Sequence, residues 1–126
     1  MLWQRCLSIS KLLLELMWRS HMQWQELENL AKEYAQAEAN RIYLMEFRKS
    51  KKSILMTEAE NAEPGMAIAK QERYAYAHSD YAELLKGLQA AVEKSVELKF
   101  KIEVQKMRFE SWRSKQATSR AEMTLR

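Results

Sequence analysis

The amino-acid sequence predicts an all-α protein, built as an elongated antiparallel helical hairpin or coiled coil. Three observations favour this class. The 126 residues include only two Gly and one Pro, so residues that form turns are scarce. Residues with high helix propensity dominate the composition, namely Ala, Glu, Lys, Leu, Gln and Arg. Apolar residues also recur at helical spacing over two long stretches of the chain.

The first element is a long helix predicted over residues 23–62, because no Pro or Gly interrupts this stretch. Apolar side chains recur there every three or four positions, which is the spacing of one helix face. The members of this face are Trp24, Leu27, Leu30, Tyr34, Ala37, Leu44, Phe47, Leu55 and Ala59. Pro64 and Gly65 should end the helix, since Pro cannot continue its hydrogen bonding and Gly accepts a positive φ.

Residues 1–21 leave two interpretations open. In the stretch WRSHMQW, the codons for Trp-Arg-Ser-His-Met can hold a purine-rich ribosome-binding sequence just ahead of Met22. Residues 1–21 would then be a translated leader or a cloning remnant, followed by a single helical domain over residues 22–126. The alternative is a genuine N-terminal helix whose leucines pack on the core. Lys11 and Glu15 interrupt the apolar run, so neither a signal peptide nor a membrane span is predicted.

The second element is a short helix predicted over residues 66–77, which the sequence HSDY follows. Asp80 and Glu83 have the spacing of a capping box, and Ser79 is an alternative cap. Either cap would accept hydrogen bonds from the free amides at the start of a further helix. A break before residue 81 is therefore predicted.

The third element is a helix predicted over residues 81–116, and it carries a heptad pattern. Steps of three and four residues define the heptad seam, which consists of Tyr81, Leu84, Leu88, Ala91, Ser95, Leu98, Ile102, Gln105, Phe109 and Trp112. Apolar residues fill this seam except at Ser95 and Gln105, and such polar exceptions often fix register or oligomer state. Residues 117–126 are predicted to fray. Because one hairpin buries few layers, a homo-oligomer of two or more copies is expected.

Composition also limits the classes of function. A single cysteine, Cys6, cannot form an intrachain disulfide, and no His/Cys cluster has zinc spacing. A reducing cytoplasm and no cofactor are therefore expected. The formal net charge is +4, and residues 98–126 carry eight Lys or Arg against three Asp or Glu. This permits contact with nucleic acid, although mixed charge is also typical of exposed helical surfaces. No catalytic constellation stands out, so an enzyme is not predicted.

The densest charge cluster is FRKSKKS, whose cations are Arg48, Lys49, Lys51 and Lys52. On a helix, three of them share one face and Lys49 lies to the side. One hypothesis is that the cluster binds phosphate groups of nucleic acid by displacing counterions. The other is that Glu46, Glu58 and acidic residues of a partner helix neutralise it.

The C-terminal stretch FESWRSKQATSR interleaves aromatic and basic side chains. Arg113, Lys115 and Arg120 would contact a backbone or a protein partner, and Trp112 would stack on bases, as in proteins that bind single strands. The alternative is that Phe109 and Trp112 pack in the core through the heptad seam, which leaves the basic residues as surface contacts.

The stretch QERYAYAHSDY forms a possible ligand corner of Arg73, Tyr74, Tyr76, His78 and Tyr81. Its residue types would suit a small ligand such as a nucleotide. A catalytic interpretation would make His78 a base that Asp80 orients, but no nucleophile or phosphate loop accompanies the pair. A packed corner between helices is the simpler prediction.

Three stretches of the chain are similar to a group of short helical proteins of tailed bacteriophages. They are RIYLMEFRKSKKSILM at 41–56, QERYAYAHSDYAELLKGLQAAVE at 71–93 and FESWRSKQATSRAEM at 109–123. The resemblance covers roughly residues 22–123. Genes of this group commonly lie among phage recombination and replication genes, beside single-strand annealing or exonuclease functions. The resemblance therefore implies the cytoplasm of a bacterial host and a partner that is DNA, a DNA-handling protein or a host-defence protein.

These observations favour a non-enzymatic accessory protein that binds a macromolecular partner in DNA recombination, replication or evasion of host defence. One alternative is a module that binds DNA directly, particularly single strands. Another is an anti-defence protein that binds a small nucleotide or inhibits a nuclease.

Overall fold

The computed structural model describes the backbone of residues 2–126 and the side chains of residues 10–126, so the Cys6 side chain lies outside it. Over the described range the chain forms three helices and no strand, and the all-α prediction is confirmed. The helices are α1 (Leu2–Ala62), α2 (Ile68–Ala77) and α3 (Ser79–Leu125). No helix within this range has a segment both long and apolar enough to cross a bilayer.

The first helix is longer than predicted. α1 begins at Leu2 instead of near residue 23, and it passes through WRSHMQW without a break. The Ser20 hydroxyl is accommodated inside the helix because it donates a hydrogen bond to the Met17 carbonyl at 3.2 Å. The predicted end is confirmed, since α1 ends at Ala62. The leader interpretation of residues 1–21 concerns the start of translation and stays a prediction.

The third helix is also longer than predicted. α3 runs to Leu125, so the predicted end near residue 116 and the frayed tail are both wrong. No Gly or Pro follows Gly87 in the sequence, so no strong helix breaker interrupts the tail. The polar side chains of the tail are compatible with a helix. The Thr118 and Thr124 hydroxyls donate hydrogen bonds to carbonyls one turn earlier, at 3.1 Å and 2.9 Å.

The Pro-Gly break forms a tight turn between α1 and α2. The Met66 amide donates a hydrogen bond to the Glu63 carbonyl at 3.2 Å, which closes a four-residue turn. Gly65 has a φ of 83°, and Pro64 precedes it, so the turn has the arrangement of type II. The Gln71 side chain then donates to the Met66 carbonyl at 2.9 Å and ties the start of α2 to this turn.

A single residue, His78, separates α2 from α3. Its backbone is extended, with φ −70° and ψ 140°. Its Nδ1 accepts a hydrogen bond from the Asp80 amide at 3.1 Å, so the imidazole caps α3. The predicted caps were wrong, because Ser79 and Asp80 both lie within the helix, with Asp80 in its first turn. The prediction of a break before residue 81 is confirmed.

The chain divides into two compact units. The central unit is Tyr34–Lys99. The terminal unit consists of the residues up to Glu33 together with Phe100–Arg126.

The central unit contains every buried residue among the described side chains, with contributions from all three helices. These residues are Leu55, Ala59, Gln71, Ala75, Tyr81, Ala91, Ser95 and Leu98. Within this unit α1 and α3 run antiparallel, since Glu38 contacts Ser95 and Lys51 contacts Asp80. Four of the buried residues belong to the predicted heptad seam, and Leu84 and Leu88 of the seam are half-buried. The seam is therefore the face that α3 buries in this unit.

The terminal unit has no fully buried residue among its described side chains. Here too α1 and α3 run antiparallel, because the Gln105 side chain donates to Glu26 at 3.2 Å and the rings of Trp24 and Phe109 lie 5.2 Å apart. The seam residues Ile102, Gln105 and Phe109 are half-buried. Trp24 is 56% exposed, although the periodicity placed it on the apolar face of α1.

Candidate functional site

A cleft in the central unit brings part of the basic cluster of α1 next to part of the tyrosine corner. We call it the central cleft. Its cavity volume is about 570 Å³, and its lining residues are Arg48, Lys49, Lys52, Ser53, Met56, Tyr76 and Tyr81. The α1 members lie on adjacent strips of the helix surface, so Lys49, predicted to lie to the side, lines the cleft and Lys51 does not. Tyr76 lies near the end of α2 and Tyr81 near the start of α3. The end of α2 and the start of α3 thus each place one aromatic ring beside the cationic segment of α1.

Ion pairs hold three of the four predicted cations of this cluster. Lys52 lies 2.9 Å from the Glu72 carboxylate, and Lys51 lies 3.4 Å from that of Asp80. Lys49, which is largely exposed, pairs with Glu46 on its own helix at 3.0 Å. The hypothesis of neutralisation thus applies to these three lysines: Glu46 pairs as predicted, and the packed helices α2 and α3 supply Glu72 and Asp80. Glu58 pairs with none of the three.

Arg48 differs from its neighbours because it pairs with no carboxylate of the described residues. Its side chain is half-buried and lines the central cleft. A guanidinium carries its charge at any physiological pH and presents a planar set of donors that suits phosphate or carboxylate groups. Arg48 is therefore the cation of this cluster that keeps its hydrogen-bonding capacity for a ligand.

Tyr76 and Tyr81 form an aromatic wall of the cleft. Tyr76 is 52% exposed and meets the buried Tyr81 edge to face, with 5.3 Å between ring centroids. The Lys52 ammonium lies 4.9 Å from the centroid of the Tyr76 ring. The Tyr76 side chain and then the Glu72 carboxylate raise the pKa of Lys52, so this lysine stays charged.

The remaining residues of the predicted ligand corner do not join the cleft. Tyr74 packs on His78, with ring centroids 5.6 Å apart, and Arg73 is exposed. His78 lies 3.9 Å from the Asp80 carboxylate, but its Nδ1 accepts a hydrogen bond from the Asp80 amide. A base that Asp80 orients would have to donate from that nitrogen, so this geometry argues against the catalytic interpretation.

A polar network across the central unit was missed by the sequence analysis. The Glu38 carboxylate of α1 accepts hydrogen bonds from the Arg41 guanidinium and, at 2.6 Å, from the Ser95 hydroxyl of α3. These bonds, with Arg41 contributing most, lower the pKa of Glu38 to about 2. Ser95 was predicted to be a register-setting exception in the seam, and this buried bond gives it a specific partner. The Arg41 pair is local, but no local pattern indicates the bond to Ser95, because that residue lies 57 positions away.

The predicted C-terminal contact residues lie on the terminal unit. Arg113 and Lys115 pair with no carboxylate among the described residues, and the Arg120 guanidinium donates to the Gln116 carbonyl at 3.4 Å. Trp112 is 37% exposed and stacks on Phe109 at 5.9 Å between centroids. The core interpretation therefore fits Phe109, which packs on Trp24, better than it fits Trp112.

An exposed apolar stripe on α3 was also missed. Phe100, Val104 and Met107, which we call the apolar stripe, have i, i+4, i+7 spacing and therefore share one helix face. Phe100 is 64% exposed and Met107 is 61% exposed. Arg108 and Lys115 line the same shallow depression as Val104 and Met107. The sequence contains this spacing, but the predicted heptad seam lies on the opposite face of α3.

Within the described residues, no group of three or more His, Cys, Asp or Glu side chains could hold a metal ion. Comparison of the chain with protein-family models, curated proteins and solved structures finds no match.

Proposed function

We propose that this chain is a non-enzymatic accessory protein that acts by binding another protein through the apolar stripe of α3. The observation that carries the proposal is the exposure of Phe100, Val104 and Met107 on one face of a helix. Helices that bind into grooves present anchors at this spacing. Exposed apolar patches with a polar border also mark interaction surfaces.

The charge around the stripe specifies the chemistry of the partner. Arg108 and Lys115 border it and pair with no carboxylate among the described side chains. An apolar groove with an acidic border would complement this surface. The bacteriophage resemblance supports DNA recombination, replication or evasion of host defence as the setting, in the cytoplasm of a bacterial host.

Site-specific photo-crosslinking in bacterial cells tests the proposal. A benzoylphenylalanine at position 104 should capture one protein, whereas the same probe at the exposed position 94 of the central unit should not. The captured protein, once purified, should bind the wild-type chain directly. The double variant Phe100→Ser/Met107→Ser should bind at least about tenfold more weakly. An adduct with only a second copy of the chain, with DNA, or with nothing would contradict the proposal.

Direct binding of single-stranded DNA is the second candidate. It is favoured by the exposure of Trp112 beside cations that pair with no carboxylate of residues 10–126. Aromatic rings stack on bases, and Arg113 and Lys115 would hold the phosphates. Native mass spectrometry with a short single-stranded oligonucleotide should then show a complex that dissociates as salt rises. Arg113→Gln/Lys115→Gln should weaken it strongly, and Lys51→Gln/Lys52→Gln should change it little because carboxylates of α3 and α2 already pair with those lysines. If no complex with the oligonucleotide forms at low salt, this candidate is excluded.

The expected homo-oligomer stays a prediction, and the same spectra test it. A dimer or larger species at micromolar concentration would support it. A monomer at every concentration would contradict the argument that one hairpin buries too few layers.

A further inference from the structure

We propose that the central cleft binds a nucleoside monophosphate, with the phosphate on Arg48 and the base against Tyr76. This site lies wholly in the central unit, so it goes beyond the proposed protein-binding function and stands or falls separately from it.

The phosphate end of the cleft is defined by its cations. Arg48 is half-buried and lines the cleft, and no carboxylate of the described residues satisfies its guanidinium. A guanidinium binds phosphate oxygens with two parallel hydrogen bonds. Lys49 lies beside it, in an exposed pair with Glu46 that contributes little and exchanges readily for a stronger anion. A phosphate dianion thus meets Arg48, which pairs with no carboxylate of the described residues, and Lys49, whose exposed pair is easily exchanged.

The rest of the cleft is aromatic and apolar apart from the Lys52 ammonium, which pairs with Glu72 and lies 4.9 Å from the centroid of the Tyr76 ring. The base would contact the part of this ring that Lys52 leaves open. Tyr76 exposes half of its surface, and the edge contact with the buried Tyr81 fixes its ring. Met56 supplies an adaptable apolar side chain, and the Ser53 hydroxyl supplies a donor and an acceptor between the two ends. A nucleobase stacks on an aromatic ring and contacts such side chains regardless of its identity.

The size of the cleft agrees with this class of ligand. Its volume of about 570 Å³ falls within the range of roughly 300–1,000 Å³ that small-molecule sites occupy. A site for inorganic phosphate alone would need neither the tyrosine ring nor this volume. The combination of an unsatisfied guanidinium and a half-exposed ring in one cleft therefore indicates a ligand that carries both a phosphate and a planar ring.

Isothermal titration calorimetry on the full chain tests the site with three probes: AMP, adenosine and inorganic phosphate. AMP should bind in low salt, and more weakly at physiological ionic strength because the phosphate contact is partly exposed. Adenosine and phosphate should each bind at least about tenfold more weakly than AMP, since each makes half of the contacts. No heat with millimolar AMP would overturn the proposal. Phosphate that binds as tightly as AMP would also overturn it, because the ring would then contribute nothing.

Three variants assign the contacts. Arg48→Ala should lower the affinity for AMP at least about tenfold, and Arg48→Lys should restore only part of it because lysine lacks the planar fork. Tyr76→Leu should lower the affinity for AMP and leave the weak binding of phosphate unchanged. Arg73→Ala is the matched control, because Arg73 is an exposed arginine of α2 that does not line the cleft. An equal loss in Arg48→Ala and Arg73→Ala, with helicity intact by circular dichroism, would contradict the site.

Discussion

The central and terminal units are built from the same two long helices, yet they differ in how far their cores are closed. The central unit adds α2 to the helix pair and buries residues from all three helices. The terminal unit has only the pair, and none of its described side chains is fully buried. The cluster of Leu55, Ala75 and Tyr81 draws one residue from each helix, whereas Ala91, Ser95 and Leu98 are buried along the seam outside that cluster. The third helix therefore accounts for one part of the closed core, and the central stretch of the heptad seam accounts for the other.

The polar residues of the heptad seam also differ in burial between the two units. Ser95 in the central seam is buried and bonds to Glu38 at 2.6 Å, whereas Gln105 in the terminal seam bonds to Glu26 at 3.2 Å in a more exposed position. Buried hydrogen bonds specify register more strongly because an unpaired partner would be costly there. We therefore expect the central unit to hold the helix register, and the terminal unit to offer surface for recognition.

The largest difference should appear when one leucine is truncated in each unit. Leu98→Ala should lower the free energy of unfolding by about 2–5 kcal/mol, because Leu98 is 1% exposed and its loss leaves a cavity. Leu27→Ala in the terminal unit should cost less than half as much, since Leu27 is only half-buried. Urea unfolding followed by circular dichroism measures both values. Equal losses would mean that the terminal core is as closed as the central one.

The next effect concerns the two glycines of the chain. Gly65→Ala should lower the free energy of unfolding by about 1 kcal/mol, because Gly65 has a φ of 83° that disfavours side chains. Gly87→Ala is the matched substitution inside α3, where a Cβ would meet nothing within 4 Å. It should raise stability by about the same amount through helix propensity. A loss in both variants would contradict the separate roles of the turn and the helix.

A smaller effect, dependent on pH, is expected from Glu38. Its pKa of about 2 lies below the ordinary value of 4.5, so its charged form stabilises the fold above pH 4.5 and that contribution is lost as pH falls towards 2. Glu38→Gln should therefore melt below the wild type at pH 7, and the gap should close near pH 2. Glu28→Gln provides the control, because Glu28 makes only an exposed pair with Lys32 at 3.9 Å. A gap that stays constant with pH would show that the carboxylate charge is not responsible.

The smallest effect on folding is expected from the apolar stripe. Phe100→Ser should change the free energy of unfolding by no more than about 0.5 kcal/mol, because Phe100 is largely exposed. The same substitution should weaken partner binding strongly if the stripe is the recognition surface. Urea unfolding of the isolated chain checks the first expectation. A large loss of stability would show that the stripe is already covered, for instance by a second copy.

Much of the fold could be predicted from sequence because its signals are local. The heptad seam of α3 follows from steps of three and four residues, and the turn follows from Pro64 and Gly65. The helix ends were less predictable, since no strong breaker marks the residues around Met22 or Gln116. The cap was missed because His78 is not a residue type usually expected in that role.

The candidate site could be predicted only in pieces. Arg48 and Tyr76 were each identified from local composition, but no sequence pattern indicates the direction in which α2 folds back onto α1. The pairs Lys52–Glu72 and Glu38–Ser95 join positions 20 and 57 residues apart. Such contacts depend on the packing of helices, so sequence periodicity identifies the faces but not the partners.

The heptad seam also restricts how the length of α3 can change. One residue inserted after Ala91 would rotate the following part of the helix by about 100°, and Ser95 and Leu98 would turn away from α1. An insertion of seven residues would restore their orientation to within about 20°. Natural or engineered variants of this chain should therefore tolerate insertions and deletions in α3 in multiples of seven, with a matching change in α1, far better than single-residue changes.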